Sequence, residues 1–523
     1  MAKYLILDSS TGAIGFARWL IRGSCQTLLF LLALIIYTPI VFAAQERQTL
    51  NGGWDDFPPF SFTDHDRGIP RWTGFDVELL HEISSRAGYV IVADKVIWPL
   101  LVNGIKSGQY DIAAQATKTP EREEFAYFSV PYRSETMVLM LPDQHSPRLD
   151  VADITDLINV FKEKEFRLGV TRGAAFPNKE MRDFIDNPGY QNAVFRHSPA
   201  ELVTNLLDGE IDGYLTNRIL GAHFIDTMGA SDRLQEHSLK IEGELHLMFS
   251  RESVSSGVVE KFNEAIESVK SDGTYGRLNA KYALPILVQL SLDSQWFTAV
   301  DLVGTIAFAI SGLLLAFRYN YDVFGALVLA SLPAVGGGVV RDLITNREEL
   351  SILASPIYIE ILVVLVVGGY FALRLAVLLQ RSAFGALAAD QMERRRVHIG
   401  YIVQICDAIG LAAFTVTGVV VALVTQSHPL WIWGPALAAI TAAGGGILRD
   451  VVRSDPEIPL LKGELYPEIA VLWGLILSVF FIWEARFLNA EDIQIGILLT
   501  FFGALVTRLL TIYLGLKSPR FSA

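Results

Sequence analysis

Charged residues inside apolar segments are the first sign of chemistry in this sequence. Two Arg–Asp pairs and two further aspartates lie in otherwise apolar stretches: Asp301, Arg341, Asp342, Asp407, Arg449 and Asp450. A charge at membrane depth is energetically costly, so such residues mark a permeation pathway or pair with one another. Three adjacent glycines precede each Arg–Asp pair: Gly336, Gly337 and Gly338 in the first copy, and Gly444, Gly445 and Gly446 in the second.

The glycine triplets allow two interpretations, and these are compatible with each other. Adjacent glycines weaken a helix, and non-helical backbone at membrane depth is tolerated where it lines a cavity or is covered by protein. On the first interpretation, the free carbonyl and N–H groups serve a permeating ion or polar solute. On the second, the glycines allow close helix packing and the Arg–Asp pairs hold the two copies together.

The elements that carry these residues form an internal repeat. Seven apolar segments of about the ~20 residues that a bilayer requires are predicted: 296–317, 322–344, 355–378, 399–425, 429–452, 466–484 and 492–515. Residues 301–312 return as 407–418, the glycine motif returns as described, and Tyr358-x-Glu360 returns as Tyr466-x-Glu468. Because each copy holds three spans, an odd number, the second copy must be inverted relative to the first.

Composition agrees with a chain that is partly embedded in lipid. The 523 residues are 51% hydrophobic and only 19% charged, with a net charge of −13. The acidic excess lies mainly in residues 45–290 and argues against nucleic-acid binding, which needs a basic surface. The only cysteines, Cys25 and Cys406, exclude a disulfide framework and a cysteine-rich metal site. No HExxH, GxSxG or GxxxxGK[ST] motif occurs, so we expect no enzyme, no cofactor, no metal and no ATP-driven step.

The N-terminal segment, residues 1–44, predicts that the next part of the chain is exported. An apolar run at 27–42 is preceded by Arg18 and Arg22 and followed by Ala43 and Ala44. This order is typical of a cleaved secretory signal peptide. The alternative is an uncleaved anchor helix, because the run is long for a signal core.

Residues 45–285 predict a soluble α/β domain, because short apolar runs alternate there with amphipathic helical patterns. Six pieces occur in a characteristic order: Pro58–Phe62, Thr73–Leu80, Trp98–Leu101, Gly108–Ala113, Thr119–Arg122 and Phe128–Tyr132. In order and spacing they resemble the family 3 periplasmic solute-binding proteins of amino-acid-binding type. The resemblance covers residues 50–285 and implies the two-lobed type 2 fold, which closes over a small ligand.

The resemblance also implies which residues bind that ligand. Arg122 matches the arginine that forks onto the ligand carboxylate, a contact suited to a planar guanidinium. The other matched positions are the hydroxyl of Thr117, the aromatic walls Phe57 and Trp98, the second-lobe loop with Thr171, Gly173 and Ala174, and Asn217. At Asn217 the family usually has an aspartate that binds the α-amino group. A neutral amide lacks that charge, so we expect either a small, glycine-like amino acid or a related carboxylate.

The membrane part, with GGGxxRD in each half, resembles the bacterial glycine-transporter-like family, which is similar in fold to the trimeric intracellular cation (TRIC) channels. The resemblance covers residues 295–515. It implies a homotrimer with one pore per subunit, kinked at the glycines of the second and fifth spans. Members of the family are described both as cation channels and as carriers of small solutes, so K⁺ or Na⁺ is an alternative cargo.

The predicted organisation is therefore a signal peptide or anchor (1–44), a periplasmic solute-binding domain (45–285), a linker (286–295), two all-α membrane repeats (296–398 and 399–490), and a seventh span with a cytoplasmic tail (491–523). Arg318, Arg381 and Arg394–Arg396 fall on the inner side if the soluble domain is exported, as the positive-inside rule requires. The leading hypothesis is a bacterial inner-membrane transport protein. The alternatives are a ligand-gated monovalent cation channel and a receptor that signals without conducting.

Overall fold

The computed structural model describes residues 48–64, 70–143, 154–176, 178–231, 233–292, 295–347, 350–381, 388–453, 465–488 and 490–519. The predicted signal peptide or anchor lies outside these residues.

The soluble domain is built on a mixed sheet that continues through both lobes. Its strands run β4-β1-β5-β11-β7-β10-β8-β9, and β6 pairs with β11. In chain order the strands are β1 (Gln48–Trp54), β2 (Phe62–Asp64), β3 (Arg71–Thr73), β4 (Tyr89–Lys95), β5 (Ile112–Thr117), β6 (Ala126–Phe128), β7 (Arg133–Pro142), β8 (Leu168–Thr171), β9 (Val194–His197), β10 (Gly213–Asn217) and β11 (Leu234–Ser250). The two long antiparallel strands β7 and β11 join the lobes, since β11 pairs with β5 of the first lobe and β7 with β10 of the second.

Helices cover the sheet in each lobe. The first lobe contains α1 (Phe75–Ala87), α2 (Trp98–Ser107), α3 (Pro120–Glu123), α8 (Ser256–Ser271) and α9 (Thr274–Tyr282); the second contains α4 (Ile154–Glu163), α5 (Lys179–Ile185), α6 (Pro199–Leu207) and α7 (Arg218–Thr227). Their apolar faces form separate cores, one around Phe75 and Phe262, the other around Phe161 and Leu168. The prediction of a two-lobed α/β domain is confirmed.

The segment predicted as a linker is largely helical. Helix α10 (Leu284–Leu292) follows α9 almost directly. Its residues Leu284, Leu287 and Val288 are buried against apolar residues of the membrane part such as Val416 and Phe481. Residues of α10 also contact α7 of the second lobe. The connection therefore packs against both halves of the molecule.

The described secondary-structure elements of the membrane part are helices. It contains α11 (Gln295–Arg318), α12 (Val323–Ser331), a π-helical turn (Leu332–Gly336), α13 (Gly337–Ile344), α14 (Ser351–Ala354), α15 (Ile357–Arg381), α16 (Ala388–Val424), α17 (Leu430–Val452), α18 (Pro467–Glu484) and α19 (Ala490–Leu514). Among the described residues, six apolar segments are long enough to cross a membrane: Phe297–Arg318, Val323–Ile344, Ile399–Val424, Leu430–Val452, Pro467–Glu484 and Glu491–Leu514. At the remaining predicted span, 355–378, the apolar helical segment is Ile357–Ala372, which is shorter.

Matching residues of the two copies contact each other reciprocally. Phe308 and Phe414 occupy equivalent positions, and their rings lie 5.2 Å apart, edge to face. Gly304 packs against Phe414, while its counterpart Gly410 packs against Phe308. The earlier residue of α11, Gly304, thus contacts the later residue of α16, Phe414. The later residue of α11, Phe308, contacts the earlier residue of α16, Gly410. At this contact the two helices run in opposite chain directions.

The glycine triplets do not expose backbone in the way that the sequence suggests. The second triplet lies inside the continuous helix α17, so the break expected there is wrong, whereas the first triplet follows a π-helical turn. A Cβ on Gly445 would lie 2.5 Å from the Leu332 carbonyl oxygen, and one on Gly337 would lie 3.0 Å from the Thr441 carbonyl carbon. At Gly337 and Gly445 the missing side chain serves close helix packing, which outweighs the low helix propensity of glycine.

Candidate ligand cleft and membrane cavity

A cavity of about 110 Å³ lies between the two lobes of the soluble domain. Its lining includes seven of the eight predicted ligand-binding residues: Phe57, Trp98, Thr117, Arg122, Thr171, Ala174 and Asn217. Gly173 is outside the lining but has a φ of +77°, and a Cβ there would lie 3.1 Å from the Trp98 ring. Glycine is needed at this point because a side chain would be strained and would crowd the tryptophan.

Arg122 is held with its guanidinium group at the cavity wall. Thr119 caps α3 by accepting a hydrogen bond from the Arg122 N–H, and Nη1 of Arg122 donates to the Thr117 carbonyl oxygen at 2.9 Å. The guanidinium lies 5.6 Å from the centre of the Trp98 ring. Burial lowers the pKa of Arg122 and Glu121 raises it, but an arginine remains charged. None of the ion pairs among the described residues includes Arg122, so its charge is available to a ligand carboxylate.

The two lobes touch across the cavity. The Thr117 hydroxyl, at the end of β5 in the first lobe, donates to the Ala175 carbonyl oxygen of the second lobe at 3.0 Å. Trp98 of the first lobe also lies against Gly173 of the second. The structure therefore shows the lobes in contact at the mouth of the cleft.

Asn217 has a structural role that the motif did not predict. Its side-chain oxygen caps α7 by accepting hydrogen bonds from the N–H groups of Ile219 at 2.9 Å and Leu220 at 3.2 Å. Its amide nitrogen donates to Oε2 of Glu135 at 3.0 Å. The neutral residue thus lies next to a carboxylate that also lines the cavity.

Glu135 is the functional candidate that sequence reasoning missed. Burial raises its pKa, while the charge of Arg133, 3.7 Å away, lowers it. Arg133 is itself bound to Asp76 by two hydrogen bonds of 2.9 and 3.1 Å, and its guanidinium lies 4.0 Å from the Phe60 ring centre. Alternation along β7 places Arg133, Glu135 and Met137 on one face, and all three line the cavity. Two charged residues at alternate positions, Arg133 and Glu135, just before an apolar run were the available signal.

A second cavity, of about 260 Å³, lies within the membrane part. Of the predicted pore residues, Asp301, Gly338 and Arg341 line it. The Tyr358 hydroxyl donates to Asp301 at 2.8 Å, and Arg341 binds Asp342 at 2.8 Å and Ser351 at 3.1 Å. Thr305 also lines this cavity. It is 1% exposed, and its hydroxyl has no hydrogen-bond partner in the described part of the chain.

The predicted residues of the second copy do not line this cavity. Arg449 lies among Asp407 at 3.5 Å, Asp450 at 3.0 Å and the Ser311 hydroxyl at 3.0 Å. Gly444 and Gly445 pack against Gly337 and Pro333 of the first copy. The hydrogen bond from Arg449 to Ser311 of the first copy connects the two copies, as the packing interpretation predicts. Gly336, Gly337, Asp342 and Gly446 are also outside the cavity lining.

Metal binding finds no support in the residues that the structure describes. They contain no group of three or more His, Cys, Asp or Glu side chains that could hold an ion.

Comparison with known proteins gives separate matches for the two halves. Residues 51–285 match the bacterial extracellular solute-binding proteins, family 3. Residues 298–375 and, a second time, 404–483 match the family described as glycine transporter.

Individual relatives show the same division. The UPF0126 inner membrane protein YadS of Escherichia coli K12 is 32% identical over 225 residues, which are 43% of this chain and 95% of that protein. The L-cystine-binding protein TcyA of Bacillus subtilis is 21% identical over 227 residues, covering 42% of this chain and 76% of that protein. A solved structure of an ancestral arginine-binding protein bound to glutamine is 22% identical, with a TM-score of 0.36, and covers 45% of this chain and 98% of that one.

Fold and matches together define the class of protein: a periplasmic-type solute-binding domain fused to a helical membrane domain. Through the membrane domain, the chain belongs to the UPF0126 family of membrane proteins.

Proposed function

We propose that this chain is an inner-membrane transport protein whose periplasmic domain captures a small α-amino acid, of about the size of glycine, or a related carboxylate, and whose membrane domain passes it on. The observation that carries the proposal is the charge arrangement of the cleft. Arg122, which forms no ion pair in the described part, and the carboxylate Glu135 line one cavity. A positive and a negative group in one small cavity complement the carboxylate and ammonium of a zwitterion.

The size of the cavity supports a small ligand. Its volume of about 110 Å³ is well below the ~300–1,000 Å³ of sites that hold drug-sized molecules. Aromatic side chains, including Phe57, Trp98 and Phe176, supply apolar cover. The name of the relative TcyA supports the amino-acid class, and the name of the matched membrane family supports glycine. We propose binding and passage, with no catalytic step.

The membrane path in this proposal begins at the cavity with Asp301, Gly338 and Arg341. A TRIC-like architecture of seven spans with an inverted repeat, assembled as a homotrimer, is part of the proposal. The double match to one family supports the repeat, and the opposed directions of α11 and α16 at their contact support its inversion. An exported N-terminal domain and a cytoplasmic C-terminus follow from the positive-inside rule, with residues 1–44 acting as signal peptide or anchor.

A second candidate is a monovalent cation channel, for K⁺ or Na⁺, that opens when the soluble domain binds its ligand. The observation that favours it is α10, which packs against α7 of the second lobe and against the membrane helices. Closure of the lobes would move α7 and, through α10, bias the membrane helices.

Thermal unfolding of the full-length protein in lipid nanodiscs tests the ligand. We expect one or a few small amino acids in a panel of the twenty standard amino acids and acetate to raise the melting temperature. Arg122→Ala should weaken binding about 10- to 150-fold, because a charge-assisted contact contributes about 1.5–3 kcal/mol. Arg277→Ala, a substitution of an exposed arginine on α9, is the control and should bind normally. Equal binding by the Arg122 variant would contradict the cleft assignment.

Flux measurements separate the two candidates. A carrier reconstituted in vesicles accumulates the radiolabelled amino acid that the cleft binds. A gated channel instead passes K⁺ or Na⁺ only when that amino acid is added, and it accumulates none. Vesicles impermeable to ions and amino acids under all of these conditions would contradict both.

A further inference from the structure

A third cavity, of about 480 Å³, lies between the soluble domain and the membrane domain. We call it the interdomain chamber. It adjoins the cleft, because Phe60, Arg133, Glu135 and Asn217 line both cavities. Its other wall includes Asn279 of α9, Leu287 of α10 and the membrane-domain loop Arg486–Leu488. A molecule leaving the cleft past Glu135 would enter this chamber.

Two groups in the chamber have donors that suit an anion. Asn279 is 2% exposed, and its amide nitrogen has no hydrogen-bond partner among the described residues. Leaving a buried donor unsatisfied is unfavourable, so a ligand acceptor there would stabilise the site. Arg486 forms no ion pair in the part of the chain that the structure describes. Gly276 makes room for it, since a Cβ there would lie 3.0 Å from Cγ of Arg486.

The remaining cations of the chamber are already engaged. Arg133 is bound to Asp76, Arg218 to Glu236 at 2.8 Å, and Lys270 donates to the Pro131 carbonyl oxygen at 2.6 Å. The carboxylates of the lining are Glu135, on the border with the cleft, and Glu242, which is exposed. Two cations of the lining therefore have no ion pair among the described residues: the exposed Arg486 on the membrane-domain side and the exposed Lys270 on the soluble side. The partly buried carboxylate Glu135 lies next to the cleft.

We infer that the interdomain chamber is a second binding site for the same small amino acid, in which Arg486 and the Asn279 amide bind the carboxylate. Glu135 borders both cavities and accepts the ammonium group in each. The amino acid moves by pivoting about Glu135, and its carboxylate passes from Arg122 to Arg486. This inference rests on the proposed function, because it assumes that the cleft binds a zwitterion.

The position of α10 fits a site on the way to the membrane. Leu287 of this helix lines the chamber, and Gln289, two residues later, lines the membrane cavity that contains Asp301. The three cavities therefore follow one another, and α10 separates the last two. A ligand in the chamber would contact the helix that also contributes Gln289 to the membrane cavity.

Equilibrium binding of [¹⁴C]glycine to the full-length protein in nanodiscs tests the inference. We expect two molecules per chain, one bound more tightly. Arg486→Glu should remove the weaker site, leave the affinity of the tighter site within about twofold, and reduce [¹⁴C]glycine uptake into proteoliposomes at least tenfold. Arg277→Glu, the same charge reversal at an exposed position of α9, is the control and should keep both sites.

Asn279→Asp provides an independent variant, because it replaces the buried donor by an acceptor of the same shape. It should also lose only the weaker site, and its melting temperature shows whether it is folded. One site per chain in the wild type, or two sites and full uptake in Arg486→Glu, would overturn the inference. Failure of the proposed function is distinguishable, since it would appear as no [¹⁴C]glycine bound at all or as a tight site that survives Arg122→Ala.

Discussion

The two copies of the membrane repeat carry the same motif in different surroundings. Asp301 of the first copy lines a cavity and accepts a hydrogen bond from the Tyr358 hydroxyl. Asp407, its counterpart, lies 3.5 Å from Arg449, and Tyr466 donates to its main-chain oxygen instead of its carboxylate. One copy presents its carboxylate to a cavity, whereas the other uses it in a closed network.

A single pair of hydroxyl residues accounts for much of this difference. Ser311 and Thr417 occupy equivalent positions in the repeat. The Ser311 hydroxyl accepts a hydrogen bond from Arg449, but the Thr417 hydroxyl donates back to carbonyl oxygens of its own helix, Ala413 and Phe414. Arg341 binds Ser351 instead and lines the cavity. Equivalent residues of the two copies thus line a cavity in one copy and hold the copies together in the other, and the two copies differ in how this hydroxyl is used.

The largest effect is expected from a substitution that breaks the hydrogen bonds and ion pairs of Arg449 in the second copy. Arg449→Ala removes the cation that faces both Asp407 and the buried Asp450. It leaves Asp450 only Arg453, at 3.9 Å, as a cation among the described residues, and should destabilise the protein by about 3–5 kcal/mol. Arg341→Ala should cost less, about 1–3 kcal/mol, because Ser351 and Arg347 still contact Asp342. Denaturation of both variants in the same detergent measures the difference. Equal losses would contradict the assignment of separate roles.

A second comparison uses neighbouring glycines of the first copy. Gly337→Ala places a methyl group against the Thr441 backbone, so we expect a loss of about 1–3 kcal/mol from overpacking. At Gly338 the nearest atom to a new Cβ, at 3.6 Å, belongs to the end of the flexible Arg341 side chain. Gly338→Ala should therefore leave the melting temperature nearly unchanged but reduce flux, because Gly338 lines the cavity. An unstable Gly338→Ala protein would show that both glycines serve packing.

A third test compares the equivalent aspartates of the two copies, beginning with Asp301→Asn. The amide keeps an acceptor for Tyr358 while removing the charge, so we expect stability within about 1 kcal/mol and flux reduced roughly tenfold, equivalent to ~1.4 kcal/mol in the barrier. Asp407→Asn, the matched variant, should instead lower stability, because Arg449 loses a buried partner. Flux through Asp301→Asn at the wild-type rate would place the path elsewhere.

The smallest effect concerns pH and separates ligand capture from passage. Burial raises the pKa of Glu135, so this carboxylate becomes protonated at a higher pH than an ordinary glutamate as the pH falls. Amino-acid affinity should therefore decrease on acidification, because only the ionised form attracts an ammonium group. Binding curves between pH 4 and 8 measure this decrease. The inflection should be absent in Glu135→Gln and unchanged in the exposed control Glu242→Gln and in Asp301→Asn; its persistence in Glu135→Gln would contradict the assignment.

Some residues of the candidate sites could be predicted from sequence motifs, whereas others could not, because their roles depend on tertiary contacts. Arg122, Trp98 and Thr117 were predictable, because short motifs place them and the strands and helices of the first lobe fix their positions. Glu135 was not, since its role depends on which face of β7 meets the second lobe. The α/β character followed from alternating patterns and the two-lobed fold from the resemblance to the family 3 solute-binding proteins, whereas the difference between Asp301 and Asp407 depends on tertiary hydrogen bonds that no local pattern encodes. The glycines misled for the same reason, because packing overrode their local preference.

The two long strands that join the lobes restrict how the soluble domain can move. Strands β7 and β11 are hydrogen-bonded to each other from Arg133–Leu245 to Pro142–Leu234, and the register of this pairing shifts between Ser238 and Ile241. A paired ribbon resists shear and bends most easily at such an irregularity. We therefore expect the lobes to move mainly by rocking about that point. Helix α7, fixed to the moving lobe, would act as a lever arm whose far end rests on α10.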